Sequence, residues 1–236
     1  MLPLILCIFF IFLGAISLTL FLLEKIRGYS VKATMIKAVT SLFFILVSAV
    51  SLYQKGQHYL TLFVTLGLFF GLLGDIWLDF KYVFKEHDKT FTYAGFIMFL
   101  IGHGFYISGM FLEFFSGQSP LYVILPLIGG AFISVMNLFI AKPMKLDYTG
   151  YKAISIAYGF FLFSMTLSAL SLSIMTGFAH PTLIMMFAGG LLFTISDLIL
   201  SGTYFGKGKE RPVDIITNSI TYYAAQFVIA LAMFFI

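Results

Sequence analysis

The stretch "YLTLFVTLGLFFGLLGDIWLDF", residues 59–80, decides the fold class of this chain. It is apolar up to Asp75 and slightly longer than the roughly 20 residues that a helix needs to cross a bilayer. Asp75 and Asp79 stand near its end, although an aspartate at the centre of a membrane helix costs about 2.5–3.5 kcal/mol on insertion scales. The stretch therefore predicts a transmembrane helix, and the carboxylates near its end need a functional explanation.

The whole chain has the composition of a membrane protein. Of its 236 residues, 61% are hydrophobic and only 10% are charged, whereas a soluble domain carries about 25% charged residues. We expect an all-α, polytopic protein with one domain over residues 1–236 and eight transmembrane helices. The apolar runs are 2–23, 33–53, 59–80, 91–114, 120–140, 152–173, 182–204 and 214–235.

The distribution of basic residues predicts the orientation. Thirteen of the 14 Lys and Arg residues lie in or around the loops that follow runs one, three, five and seven. Only Lys55 lies on the other side. Because cytoplasmic loops are enriched in Lys and Arg, we expect both termini outside the cytoplasm. A multi-pass protein of the cell (inner) membrane of a bacterium fits this pattern. Contact with anionic lipid explains the net charge of +4, so no nucleic-acid partner is expected. The thirteen are Lys25, Arg27, Lys32, Lys37, Lys81, Lys85, Lys89, Lys142, Lys145, Lys152, Lys207, Lys209 and Arg211.

Two segments resemble each other within the chain. Run three contains "GDIWL", Gly74 to Leu78, and run seven contains "SDLIL", Ser196 to Leu200. A basic loop follows each, and the next runs carry "GHGFYI" and "AAQFVI". This pattern favours a four-plus-four parallel repeat in which Asp75 and Asp197 occupy matching depths.

Polar residues gather in the half of the membrane that we assign to the cytoplasmic side. Intramembrane ionisable residues are functional candidates, although each member also has a purely structural interpretation, such as snorkelling of Lys37 or hydrogen bonding of His103. Asp79 lies nearer to water than Asp75 and is interpreted as an interfacial cap or a partner of Lys81. The candidate site residues are Lys37, Asp75, His103, Tyr106, Tyr158, Asp197, Asn218, Tyr222 and Gln226.

Four motifs in order resemble the YhhN family of integral membrane proteins, whose animal members include lysoplasmalogenases. They are "LLGDIWL", "GHGFY", "ISDLIL" and "YYAAQFVI". The resemblance implies hydrolysis of the vinyl ether bond of a lysophospholipid, lysoplasmenylethanolamine or lysoplasmenylcholine. The products would be a fatty aldehyde and a glycerophospho-alcohol. The resemblance leaves the physiological substrate open.

Vinyl ether hydrolysis needs a proton donor and a base, which two carboxylates in different protonation states supply for related oxocarbenium chemistry. We assign these roles to Asp75 and Asp197, without deciding which is the acid, in a site that opens to the cytoplasm. Lys37 would hold the phosphate, and the other candidates would orient water and substrate. The four His residues are dispersed in the sequence, so neither a metal nor another cofactor is expected. The alternative function is a small proton- or cation-coupled transporter.

Overall fold

The structure is a computed structural model that describes residues 2–56, 58–206 and 211–236, without the side chain of Lys55. Eight helices in it are long and apolar enough to cross a membrane, which confirms the predicted all-α polytopic architecture. They are α1 (Leu2–Arg27), α2 (Val31–Lys55), α3 (Tyr59–Val83), α4 (Asp88–Phe114), α5 (Leu121–Ala141), α6 (Lys152–Met175), α7 (Pro181–Phe205) and α8 (Pro212–Ala232).

The helix ends follow local sequence signals. Ser30 caps α2 by accepting a hydrogen bond from the backbone N–H of Ala33 at 3.1 Å. Pro181 and Pro212 begin α7 and α8. At the first position of a helix a backbone N–H has no partner within the helix, so proline causes no loss there. Helix α1 extends to Arg27, beyond the predicted end at residue 23. The apolar run ends earlier than the helix because its last turns contain charged residues, of which Lys25 is buried in the bundle.

Consecutive helices form four antiparallel pairs, α1–α2, α3–α4, α5–α6 and α7–α8. Helix α2 also packs against α3, as α6 packs against α7, and α4 packs against α6, as α8 packs against α2. If α1–α4 are matched in order with α5–α8, each of these contacts has its counterpart. Helix α8 also packs against α1 and α3, and within the described part of the chain α4 has no contacts of the same extent with α5 and α7, so the four-plus-four repeat stays a prediction.

Connections after α1, α3, α5 and α7 lie at the same end of the bundle. Tyr29 stacks on Tyr82 with ring centroids 3.9 Å apart, and the backbone N–H of Asp147 donates to the carbonyl of Phe205 at 2.8 Å. These are the connections predicted to be basic. Lys207 and Lys209, which contributed to that prediction, lie outside the described residues. The membrane side of this end stays a prediction.

Close backbone packing joins α3 to α4 beside the candidate site. A Cβ atom on Gly67 would lie 2.7 Å from the carbonyl oxygen of Gly102, so only glycine permits this approach. Helix α5, by contrast, packs mainly against α6 and exposes Leu125, Ile128 and Phe132. An exposed apolar surface of this kind suits contact with lipid chains.

Candidate active site

Asp75 is buried in α3 and surrounded by hydrogen-bond donors. Its side chain accepts hydrogen bonds from Ser41 Oγ at 2.6 Å and from Tyr222 Oη at 2.8 Å, both to Oδ2. Lys37 Nζ lies 3.2 Å from Oδ1. Two helices, α2 and α8, thus supply a cation and two hydroxyl groups to one carboxyl group. These three donors favour the ionised form of Asp75.

Lys37 also joins Asp75 to Asp79, one turn further along α3. Its Nζ lies 3.4 Å from Asp79 Oδ1, which accepts a shorter hydrogen bond of 2.7 Å from Lys25 Nζ. The interpretation of Asp79 as an interfacial cap or a partner of Lys81 is therefore wrong, because Asp79 is buried and pairs with Lys25 and Lys37. Lys81 Nζ instead lies 3.7 Å from the centroid of the Tyr204 ring.

Asp197 is half-buried in α7 and has different surroundings. Tyr158 Oη of α6 donates a short hydrogen bond to its Oδ2. Among the described residues, no Lys or Arg nitrogen lies within the ion-pair distance of 4.0 Å, in contrast to Asp75. The hydrogen-bond donor to Asp197 is thus a neutral phenol, whereas Asp75 has the cation of Lys37 beside it.

Both aspartates line one cavity of about 50 Å³, which we call the polar cavity. Lys37, Tyr158 and Tyr222 lie in its wall. So does Asn218, whose Nδ2 donates to the carbonyl oxygen of Ser196 at 2.8 Å. The structure thus brings together the two aspartates and four of the other candidates. The volume has room for a few water molecules.

The other three candidates, His103, Tyr106 and Gln226, are fully buried and do not occur among the described residues that line the polar cavity. Gln226 Nε2 donates to Tyr222 Oη at 3.0 Å, and Tyr106 Oη donates to Gln226 Oε1 at 3.4 Å. A chain of hydrogen bonds therefore runs from Tyr106 through Gln226 and Tyr222 to Asp75. These residues support Tyr222, and their predicted contact with substrate stays a prediction.

His103 sits behind the cavity among aromatic rings. Its Nδ1 lies 2.6 Å from the carbonyl oxygen of Phe99, so Nδ1 carries the ring proton and donates a hydrogen bond to that oxygen. Its ring lies edge-on to Phe193 and to Tyr158, with centroids 4.8 Å and 5.7 Å away. The imidazole thus helps to fix the position of Tyr158, the hydrogen-bond donor to Asp197.

A second, mostly apolar cavity of about 100 Å³ runs between α5, α6 and α7, and we call it the apolar groove. Asp197 and Tyr158 line both the groove and the polar cavity. Tyr148, in the connection after α5, lines the groove too, and burial raises the pKa of its phenol above the ordinary value. The groove thus presents apolar side chains and a neutral phenol on one side of Asp197.

Sequence reasoning missed Lys25 and Ser41. Ser41 follows Lys37 by four residues and so shares its helix face, a signal that could have identified it. Lys25 gave no such signal, because lysines near helix ends usually extend to the headgroup region. Only the packing of α1 against α2 and α8 shows that Lys25 faces inward.

Eight spans that enclose two carboxylates and a lysine on one buried cavity define an integral membrane protein with an intramembrane polar site. Among the described residues, no group of three or more His, Cys, Asp or Glu side chains is placed to hold a metal ion. The chain belongs to the YhhN family, whose family model matches residues 32–233. No curated protein and no solved structure matches it significantly.

Proposed function

We propose that this protein is a membrane-embedded hydrolase that cleaves the vinyl ether bond of lysoplasmalogens. The products are a fatty aldehyde and a glycerophospho-alcohol. One observation carries the proposal: Asp75 and Asp197 line the same cavity, and an apolar groove reaches the same Asp197. Membership of the YhhN family is compatible with this activity.

The different surroundings of the two aspartates support different roles. Asp75 is stabilised as a carboxylate by Lys37, Ser41 and Tyr222, and serves as the base. Asp197 has no such cation among the described residues and serves as the acid. Because Tyr158 donates to Oδ2, the proton of Asp197 is carried by Oδ1.

The first half of the reaction makes a hemiacetal. Asp197 gives its proton to the outer alkene carbon, and the carbon attached to the ether oxygen becomes part of an oxocarbenium ion. The carboxylate of Asp75 stabilises this positive charge. Asp75 then takes a proton from water as the water oxygen bonds to the cationic carbon.

The second half breaks the carbon–oxygen bond to glycerol. Asp197, now a carboxylate, takes the hydroxyl proton of the hemiacetal, and Asp75 returns its proton to the departing glycerol oxygen. One water is consumed, the aldehyde and the alcohol leave, and both carboxyl groups return to their initial protonation states.

The two cavities suit the two parts of such a lipid. The alkenyl chain lies in the apolar groove, so its first carbons reach Asp197 and Tyr158. The glycerol lies in the polar cavity, where Asn218 and Tyr222 orient it and Lys37 approaches the phosphate. The aliphatic chain thereby stays in an apolar environment throughout the reaction.

The test is to incubate the detergent-solubilised protein with alkenyl, acyl and alkyl lysophospholipids and to follow products by mass spectrometry. We expect aldehyde from the alkenyl lipid alone. Cleavage of the acyl lipid would make the protein a different hydrolase. A transporter would leave every lipid intact in detergent and would act only across a sealed vesicle.

A further inference from the structure

A third cavity lies beside the polar cavity, nearer to the loops that we predict to be basic. It measures about 50 Å³, and we call it the lysine cavity because Lys25 and Lys37 line it together with Asp79. Lys37, Asn218 and Ser219 line both this cavity and the polar cavity. The two cavities therefore adjoin, and one substrate could extend from the two aspartates into the lysine cavity.

Only one of the two carboxylate oxygens of Asp79 has a partner among the described residues. Both lysines approach Oδ1, at 2.7 Å and 3.4 Å. Oδ2 is buried and has no hydrogen-bond partner among the described residues. A buried carboxylate oxygen without a donor is costly. Asp79 lines the lysine cavity, so a ligand there that turns the carboxyl group slightly can supply the missing donor.

The charges of the cluster indicate what kind of ligand fits. Lys25 and Lys37 pair with Asp75 and Asp79, so basic and acidic side chains are equal in number and the buried cluster is neutral as a whole. A ligand with a net charge would leave that charge uncompensated in a low-dielectric environment. A zwitterion, with an anionic group at the lysines and a cationic group at Asp79 Oδ2, adds no net charge.

The aromatic walls indicate which cation fits. A quaternary ammonium is usually held by the faces of aromatic rings. Here Lys25 Nζ already lies over the rings of Tyr29 and Tyr82, 4.3 Å and 5.1 Å from their centroids. Lys81 Nζ lies over the ring of Tyr204. The unpartnered Oδ2 of Asp79 instead requires an N–H donor, which trimethylammonium lacks.

We propose that the lysine cavity is a head-group site for phosphoethanolamine, with the phosphate at Lys25 and Lys37 and the primary ammonium donating to Asp79 Oδ2. The inference rests on the proposed function, which supplies the lysophospholipid. It adds a preference for ethanolamine over choline. The small volume of the cavity favours the same choice, since three hydrogens need less space than three methyl groups.

The test uses the full-length protein and alkyl ether lysophospholipids, which bind without a vinyl ether to cleave. Four probes share one chain and carry ethanolamine, N-methylethanolamine, N,N-dimethylethanolamine or choline. We expect roughly tenfold or more weaker binding of the choline lipid than of the ethanolamine lipid, the effect of one charge-assisted hydrogen bond. Equal dissociation constants for all four would overturn the proposal.

Asp79→Asn keeps the shape of the side chain and removes its charge, so we expect it to abolish the preference. The exposed Asp88→Asn at the same end of the bundle is the matched control and keeps it. A preference that survives in a folded Asp79→Asn protein overturns the proposal. If that variant does not fold, the wild-type methylation series decides alone.

The two proposals fail in different ways. Selective binding of the ethanolamine ether without cleavage of any alkenyl lipid supports the head-group site and refutes the hydrolase. Aldehyde release with equal kcat/KM for ethanolamine and choline substrates supports the hydrolase and refutes the head-group site.

Discussion

The two halves of the bundle hold matching carboxylates in unlike surroundings. Asp75 is the seventeenth residue of α3, counted from residue 59 to 75, and Asp197 is the seventeenth of α7, counted from 181 to 197. One matched position in the preceding helices is informative. Lys37 is the seventh residue of α2 (31 to 37), and Tyr158 is the seventh of α6 (152 to 158). Each of these residues contacts the aspartate of its own half.

Under the proposed function, this difference shows how two similar halves of a bundle can hold an acid opposite a base. A strict repeat would give two equivalent carboxyl groups, whereas acid–base chemistry needs one protonated and one ionised. A lysine in one half and a tyrosine in the other remove the equivalence. Ser41 and Tyr222 enlarge the difference, because both donate to Asp75.

The largest expected effect comes from removing either carboxylate. Asp75→Asn and Asp197→Asn should each lower aldehyde release by roughly 10²–10⁴-fold, the usual contribution of a general acid or base. The measurement is kcat with an alkenyl lysophospholipid in detergent. Asp88→Asn, an exposed carboxylate, is the control and keeps the wild-type rate. Near wild-type turnover in both site variants would remove the pair from catalysis.

The next largest effect concerns the cation that distinguishes the two halves. Lys37→Met leaves Asp75 without its ion pair and Asp79 with Lys25 alone. Breaking a buried ion pair from one side costs about 3–5 kcal/mol, so the melting temperature should fall and activity with it. Differential scanning fluorimetry in detergent measures the change.

Lys152→Met at an exposed position of α6 is the matched control and should melt like the wild type. If Lys37→Met melts with the control and keeps its turnover, the lysine does not maintain the charge difference between the halves.

Much of this arrangement could be predicted from the sequence, because the apolar runs and the two "small-Asp-x-x-Leu" motifs depend on local patterns. The eight spans and the common cavity of Asp75 and Asp197 are of this kind. The role of Asp79 could not be predicted, because its partner Lys25 is 54 positions away in the sequence, with helix α2 between them. His103 and Gln226 show a second limit. The sequence grouped them with the candidate site residues, but only packing puts Tyr222 between Gln226 and Asp75.

Removing the tyrosine hydroxyl beside each aspartate should lower turnover less, and by different amounts at the two sites. Tyr158→Phe removes the only hydrogen bond to Asp197 that comes from the described residues, and should lower kcat by roughly tenfold or more. Tyr222→Phe should cost less, because Asp75 keeps Lys37 and Ser41. Tyr53→Phe, exposed at the opposite end, is the control. Equal losses in the two site variants would contradict the proposed difference between the halves.

The smallest expected effect concerns close helix packing. It compares the contact of α3 with α4 and the contact of α7 with α8, where α3 and α7 carry the two aspartates. On α3, a Cβ at residue 67 would lie 2.3 Å from the Tyr106 ring and 2.7 Å from the backbone oxygen of Gly102. On α7, a Cβ at residue 189 would first meet the side chain of Ile229 at 2.5 Å, with the nearest backbone oxygen at 3.3 Å. The buried, β-branched Ile229 has few rotamers, but a shift of one side chain is still a smaller change than the movement of a packed helix backbone.

Alanine gains about 1 kcal/mol over glycine in helix propensity, which offsets the crowding only where the neighbour can move. We therefore expect Gly189→Ala to lose less stability than Gly67→Ala. Gly67→Ala should be less stable by about 1–3 kcal/mol, and should lose some turnover because Tyr106 supports Gln226 and Tyr222. Melting curves of both variants in the same detergent make the comparison. An equal or larger loss in Gly189→Ala would mean that the α7–α8 crossing is the more rigid of the two.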